Sequence, residues 1–133
     1  MASNNPGSED HPMQIWTKRA YEKPGERDGM RLLVDRIWPR GVSKDEAHID
    51  RWYKDLAPST ELRKWFNHDP QKWQEFKEKY FQELKGKSEA LGELLEMVHR
   101  GRITLVYGAK DQEHNNAVAL KEYLENQARA AGS

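Results

Sequence analysis

Apolar residues fall into two rhythms along this chain. Leu32-Leu33-Val34 and Ile103-Thr104-Leu105-Val106-Tyr107 are short continuous runs bounded by glycine and proline. This is the pattern of strands covered on both faces. They predict strands over Arg31–Trp38, ended by Pro39 and Gly41, and over Ile103–Tyr107, ended by Gly108. A first strand is expected over Gln14–Tyr21, followed by a loop over Glu22–Gly29 that holds Pro24, Gly25, Asp28 and Gly29. A third is expected over Trp52–Ala57, stopped by Pro58.

The second rhythm has steps of three and four. Trp73, Phe76, Tyr80, Phe81 and Leu84 form one stripe, and Leu91, Leu94, Leu95 and Val98 form another, the signature of amphipathic helices. Asp69-Pro70 reads as an acidic N-cap with proline at the first helical position, Gly86 ends that helix, and Ser88 caps the next. Gly101 stands where a terminating glycine belongs. Ser43 with Glu46 fits a capping box for a short helix from Lys44. Ser59 is the expected N-cap of a helix through Leu62, Trp65 and Phe66. A last helix starts near His114–Asn116 and buries Ala117, Leu120 and Leu124. Strands alternating with helices predict an α/β fold: a single compact domain with a small, mostly parallel sheet flanked by helices. The length of 133 residues suits one domain. Its expected bounds are residues 13–126, between a polar N-terminal tail over 1–12 and a C-terminal tail over 127–133.

Composition then removes whole classes of chemistry. The chain has no cysteine, which excludes disulfides, thiolate zinc sites and cysteine nucleophiles. No stretch reaches the roughly 20 apolar residues of a membrane span, and no apolar run marks a signal peptide, so a cytoplasmic location is expected. There is neither a Gly-rich phosphate loop nor a nucleophile elbow. Basic and acidic residues balance at 22 each with a pI near 7.0, which makes a nucleic-acid partner unlikely. The balance is local, however. Met13–Lys44 carries eight basic residues against four acidic ones, an excess that favours an anionic small molecule.

Ligands of open α/β sheets bind beyond the carboxyl ends of the strands, and both buried strands run into polar segments there. After the first come Asp35, Arg36, Arg40 and Lys44. Tyr107 closes the second, followed by Lys110, Asp111, His114 and Asn115. If the strands are parallel neighbours, the segments meet. Arg36, Arg40 and Lys44 would then hold an anion, Arg by its planar fork. Asp35, Asp111 and His114 would supply acid–base groups, with histidine titrating near neutrality. Tyr107, Lys110 and Asn115 would orient the ligand. Structural alternatives stand beside each role. Asp35 can pair with Arg36, Arg40 or Arg63 to staple a loop, and Asp111 can cap the last helix. His68 is a further candidate whose alternative is a loop histidine bonded to backbone. Asp35, Asp111, His68 and His114 could offer oxygen and nitrogen ligands, but no spacing is diagnostic of a metal. No cofactor or oligomeric state can be read from these residues.

Three ordered motifs resemble the YeaO-like family of domains of unknown function. They are Asp35-Arg36-Ile37-Trp38-Pro39-Arg40-Gly41-Val42-Ser43-Lys44; Ala57-Pro58-Ser59-Thr60-Glu61-Leu62-Arg63-Lys64-Trp65-Phe66 with His68-Asp69-Pro70; and Thr104-Leu105-Val106-Tyr107 followed by Ala109-Lys110-Asp111 and His114-Asn115. The resemblance spans Ile15 to Leu124. It implies a compact α/β domain of the bacterial cytoplasm and brings no established activity. Gly108 is a departure, since alanine is more usual in the family at that place.

Overall fold

The computed structural model describes residues 14–132. The expected tail over 1–12, Met13 and Ser133 lie outside the described residues. Four parallel strands form one sheet in the order β1-β4-β2-β3. They are β1 (Ile15–Arg19), β2 (Met30–Leu33), β3 (Arg51–Trp52) and β4 (Ile103–Tyr107). The helices are α1 (Lys44–Ala47), α2 (Thr60–Phe66), α3 (Trp73–Leu84), α4 (Ser88–Arg100) and α5 (Asn116–Gly132). The α/β class and the parallel sheet agree with the sequence pattern.

Alternation along the strands divides two cores. Ile15, Leu32, Val34, Ile103, Leu105 and Tyr107 join the large core with Leu62 and Phe66 of α2, Phe76 and Tyr80 of α3, Leu94 of α4 and Leu120 of α5. Leu33 and Val106 belong to a smaller core with Ala20, covered by Trp38, Val42, Ile49 and Trp52. The continuous run at 32–34 therefore feeds both layers. Full burial of each such leucine contributes about 1.5–3 kcal/mol.

Several boundaries differ from the sequence reading, each for a local reason. Strand β2 stops at Leu33 rather than Trp38. Val34 N–H still reaches the Val106 carbonyl at 3.1 Å, but the next carbonyl, of Asp35, accepts from the Trp52 indole at 2.7 Å, and the chain leaves the sheet. β3 is two residues long, not Trp52–Ala57. Tyr53 N–H makes the last bond to the Leu33 carbonyl at 2.8 Å, β2 has ended, and Lys54–Leu56 folds into a 3-10 turn. Asp69 does cap, accepting from Gln71 N–H, yet Pro70–Lys72 is also a 3-10 turn and α3 begins at Trp73. Ser88 is the first residue of α4 and makes no capping bond, because Lys87 is the N-cap. Gly101 ends α4 in extended backbone rather than the left-handed form (φ 165°). Helix α5 continues through 127–132, where a tail was expected, since Gln127, Ala128 and Arg129 are strong helix formers.

Candidate functional site

The exits of β2 and β4 are bonded to each other. Asp35 is the first residue off β2 after Val34, and Gly108 is the first off β4. Gly108 N–H donates to Asp35 Oδ2 at 2.9 Å. From the start of α5, Asn116 Nδ2 donates to the Val34 carbonyl at 2.9 Å and to Asp35 Oδ1 at 3.1 Å. The Asp35 carboxyl thus ties two strand ends to a helix start. Burial raises its pKa above the ordinary 3.8. Hydrogen bonds from Asn116 and Gly108 and the charge of Arg63 oppose that shift without cancelling it. The staple that the sequence offered as an alternative exists, but its donors are a backbone amide and an asparagine. No arginine or lysine pairs with Asp35 among the described residues.

The second segment is organised by Asp111. Its Oδ1 accepts from the N–H groups of Glu113 and His114 at 2.9 and 3.0 Å, and its Oδ2 meets His114 Nδ1 at 2.9 Å. The backbone bond from Glu113 leads in lowering its pKa. Partial desolvation opposes, and the bonds and charge of His114 add to the lowering. A carboxylate only accepts, so the His114 Nδ1 facing it carries the hydrogen. Trp73 packs edge-on against the imidazole, with ring centroids 5.3 Å apart. Asp111 therefore caps the turn before α5. The helix itself is capped by Asn115, whose Oδ1 accepts from Val118 N–H at 2.9 Å.

Beside this junction lies a cavity of about 460 Å³, within the 300–1,000 Å³ range of small-molecule sites. Asp35, Arg36 and Ile37 form one wall, and Ala109, His114, Asn115 and Asn116 a second. The third comes from the segment around α2: Ala57, Pro58, Arg63, Lys64, Phe66, Asn67 and His68, with Phe76 of α3. Ser59 sets that wall. Its Oγ accepts from Leu62 N–H at 3.1 Å and donates to Glu83 Oε2 at 2.6 Å, so the cap also fastens α2 to α3. Past α2, Asn67 and His68 are both left-handed, with φ of 48° and 55°, and turn the chain along the cavity edge. Such non-glycine conformations are uncommon and concentrate at functional places.

The charge of the lining is lopsided. Arg36, Arg63 and Lys64 face one carboxylate, and among the described residues none of the three forms an ion pair. The Nε of Arg36 is buried without a hydrogen-bond acceptor.

Of the residues singled out in the sequence, Asp35, Arg36, His114, Asn115 and His68 line this cavity, and Asp111 supports it through His114. Arg40, Lys44, Tyr107 and Lys110 do not. Gly41 turns with φ 80° and sends Arg40 and Lys44 over the smaller core, the sheet face opposite the cavity; both side chains are exposed. Tyr107 points into the large core at 2 % exposure. Lys110 projects into solvent. The residues that sequence reasoning missed as cavity groups are Arg63, Lys64, Asn67 and Asn116. Their one available signal was the Ser59 cap, which fixes where α2 begins but not which strand ends it faces. Among the described residues no three His, Asp or Glu side chains gather as metal ligands, and no helix is long and apolar enough to cross a membrane.

Comparison with known proteins places these features in a lineage. Residues 14–132 match the family model described as the inactive DUF488-N3 subclade. The chain is 38 % identical over 112 residues to the uncharacterized protein YeaO of Escherichia coli K12, covering 84 % of this chain and 97 % of that protein. It is 40 % identical over 111 residues to uncharacterized proteins of Mycobacterium bovis and Mycobacterium tuberculosis, covering 84 % of this chain and 93 % of each relative. No solved structure matches the chain.

Proposed function

Starting from a chain that belongs to the inactive DUF488-N3 subclade, we propose that its cavity binds an anionic small molecule and acts as a sensor or carrier site rather than a centre of turnover. One observation carries the reading: Arg36, Arg63 and Lys64 share a cavity lining, and among the described residues none of the three has an ion-pair partner. An incoming phosphate or carboxylate would match the guanidinium forks of Arg36 and Arg63 and the ammonium of Lys64. Asp35 is held by its hydrogen bonds in a structural role, and the description of the subclade favours binding without chemistry. The neutral overall charge argues against nucleic acid as the partner. We take the ligand to be a cytoplasmic metabolite, in keeping with a chain free of cysteine.

Calorimetric titration with orthophosphate, sulfate and citrate tests this. Saturable binding is expected, weakened at least ten-fold in Arg63→Ala/Lys64→Ala. Those side chains are exposed on α2, so the double variant should fold. Equal affinity in the wild type and the double variant would remove the proposal.

A further inference from the structure

We infer that the ligand class of this cavity is the phosphate monoester of a polyol, a sugar phosphate in the simplest case; the inference rests on the anion-binding reading above. Charge sets the anionic end. Arg36, Arg63 and Lys64 stand against the single carboxyl group of Asp35 in the lining, which leaves at least two positive charges in excess. A phosphate monoester brings about two negative charges at pH 7 and three strong acceptor oxygens, whereas a monocarboxylate brings one charge. Volume requires more than the anion. Liquid water occupies about 30 Å³ per molecule, so orthophosphate leaves most of a 460 Å³ cavity to solvent.

The rest of the lining describes the other end. Its open polar groups both give and take hydrogen bonds. The Asn67 side-chain amide and the His68 ring make no hydrogen bond among the described residues. Asn116 spends Nδ2 on the Val34 carbonyl and on Asp35, which leaves its Oδ1 open as an acceptor. Asn115 is already bonded through both its amide nitrogen and its oxygen. A phosphate dianion only accepts, so it cannot serve Asn116 Oδ1. A hydroxyl donates and accepts at once, and a row of hydroxyls answers such a mixed set. The apolar lining agrees. Phe66 and Phe76 are core side chains, 6 % and 2 % exposed, so neither opens a ring face on which a nucleobase could stack. Ile37 and Ala109 offer aliphatic surface instead, which suits the C–H groups of a sugar.

The experiment is calorimetry on the full chain with orthophosphate, ribose 5-phosphate, pentyl phosphate and AMP. Pentyl phosphate keeps the phosphate and an alkyl chain of the same length but has no hydroxyls. Ribose 5-phosphate is expected to bind at least ten-fold tighter than pentyl phosphate and orthophosphate, because a site built for hydroxyls rejects an analogue without them. AMP, which adds a base to the same sugar phosphate, is expected to bind no tighter than ribose 5-phosphate. Asn67 is the left-handed C-cap of α2, with φ 48°, a conformation glycine adopts freely. Asn67→Gly should therefore fold, weaken ribose 5-phosphate at least five-fold and leave orthophosphate within two-fold. Ribose 5-phosphate bound no tighter than pentyl phosphate, or bound equally by Asn67→Gly, overturns the polyol assignment while leaving an anion site. AMP bound tighter than ribose 5-phosphate overturns it in favour of a nucleotide. Failure of every phosphate compound, orthophosphate included, overturns both readings.

Discussion

Asp28 shows what one carboxylate can hold together in a chain this polar. It accepts from Arg31 at 2.6 Å, from Gly25 N–H at 3.0 Å and from Lys18 at 3.2 Å, and its carbonyl accepts from the buried Thr104 hydroxyl at 2.7 Å. Its side chain and that of Arg31 are 3 % and 4 % exposed. Burial would raise its pKa, but the Gly25 amide, Arg31 and Lys18 overcome this and lower it. Removing one partner strands a buried charge, so Asp28→Ala should cost about 3–5 kcal/mol in urea unfolding at pH 7. The sign of the pH effect follows from the lowered value. The unfolded carboxyl takes up its proton first, near the ordinary 3.8, so the contribution is complete above that pH and fades as pH falls through the lower folded value. Asp111 is lowered too and acts in the same direction. Unfolding midpoints measured from pH 6 down to 3 should therefore fall less steeply in Asp111→Asn than in the wild type. In the sequence Asp28 was legible only as a loop residue, because its partners lie in strands that come together only when the sheet forms.

At the scale of elements, α2 decides whether there is a cavity at all. Its seven residues (Thr60–Phe66) are too few to persist alone, so its position depends on the Ser59–Glu83 link and on Leu62 and Phe66 in the large core. Ser59→Ala removes the N-cap and the hydroxyl bond to Glu83 Oε2, leaving the backbone N–H bond to Oε1, and a loss of about 0.5–2 kcal/mol is expected in urea unfolding. Phosphate affinity should fall with it, read by calorimetry, because Arg63 and Lys64 ride on this helix. The cap itself was plain in the sequence, as were the stripes of α3 and α4. The ends of β2 and β3 were not, since a strand stops where its neighbour stops, and that depends on which strands are paired. The turn at Gly41 was likewise visible, but the sheet face to which it sends Arg40 and Lys44 was not.

For the whole molecule, the sheet order β1-β4-β2-β3 puts the last strand of the sequence in the interior, between the first two. Every residue of β4 is buried, and it bonds to a strand on each side along its length. Its central amides should exchange with solvent only through global unfolding, whereas those of the two-residue edge strand β3 exchange faster; hydrogen-exchange mass spectrometry would resolve the two. Parallel pairing was readable from the alternation of elements, but the interior place of β4 was not, because no local pattern records which strand a distant segment will insert between. The Trp73–His114 contact has a practical consequence. An indole edge-on to an imidazole on the cavity wall is a built-in optical reporter. An occupant seated against the imidazole should change the tryptophan fluorescence without any added dye, and Trp73→Phe should abolish that change.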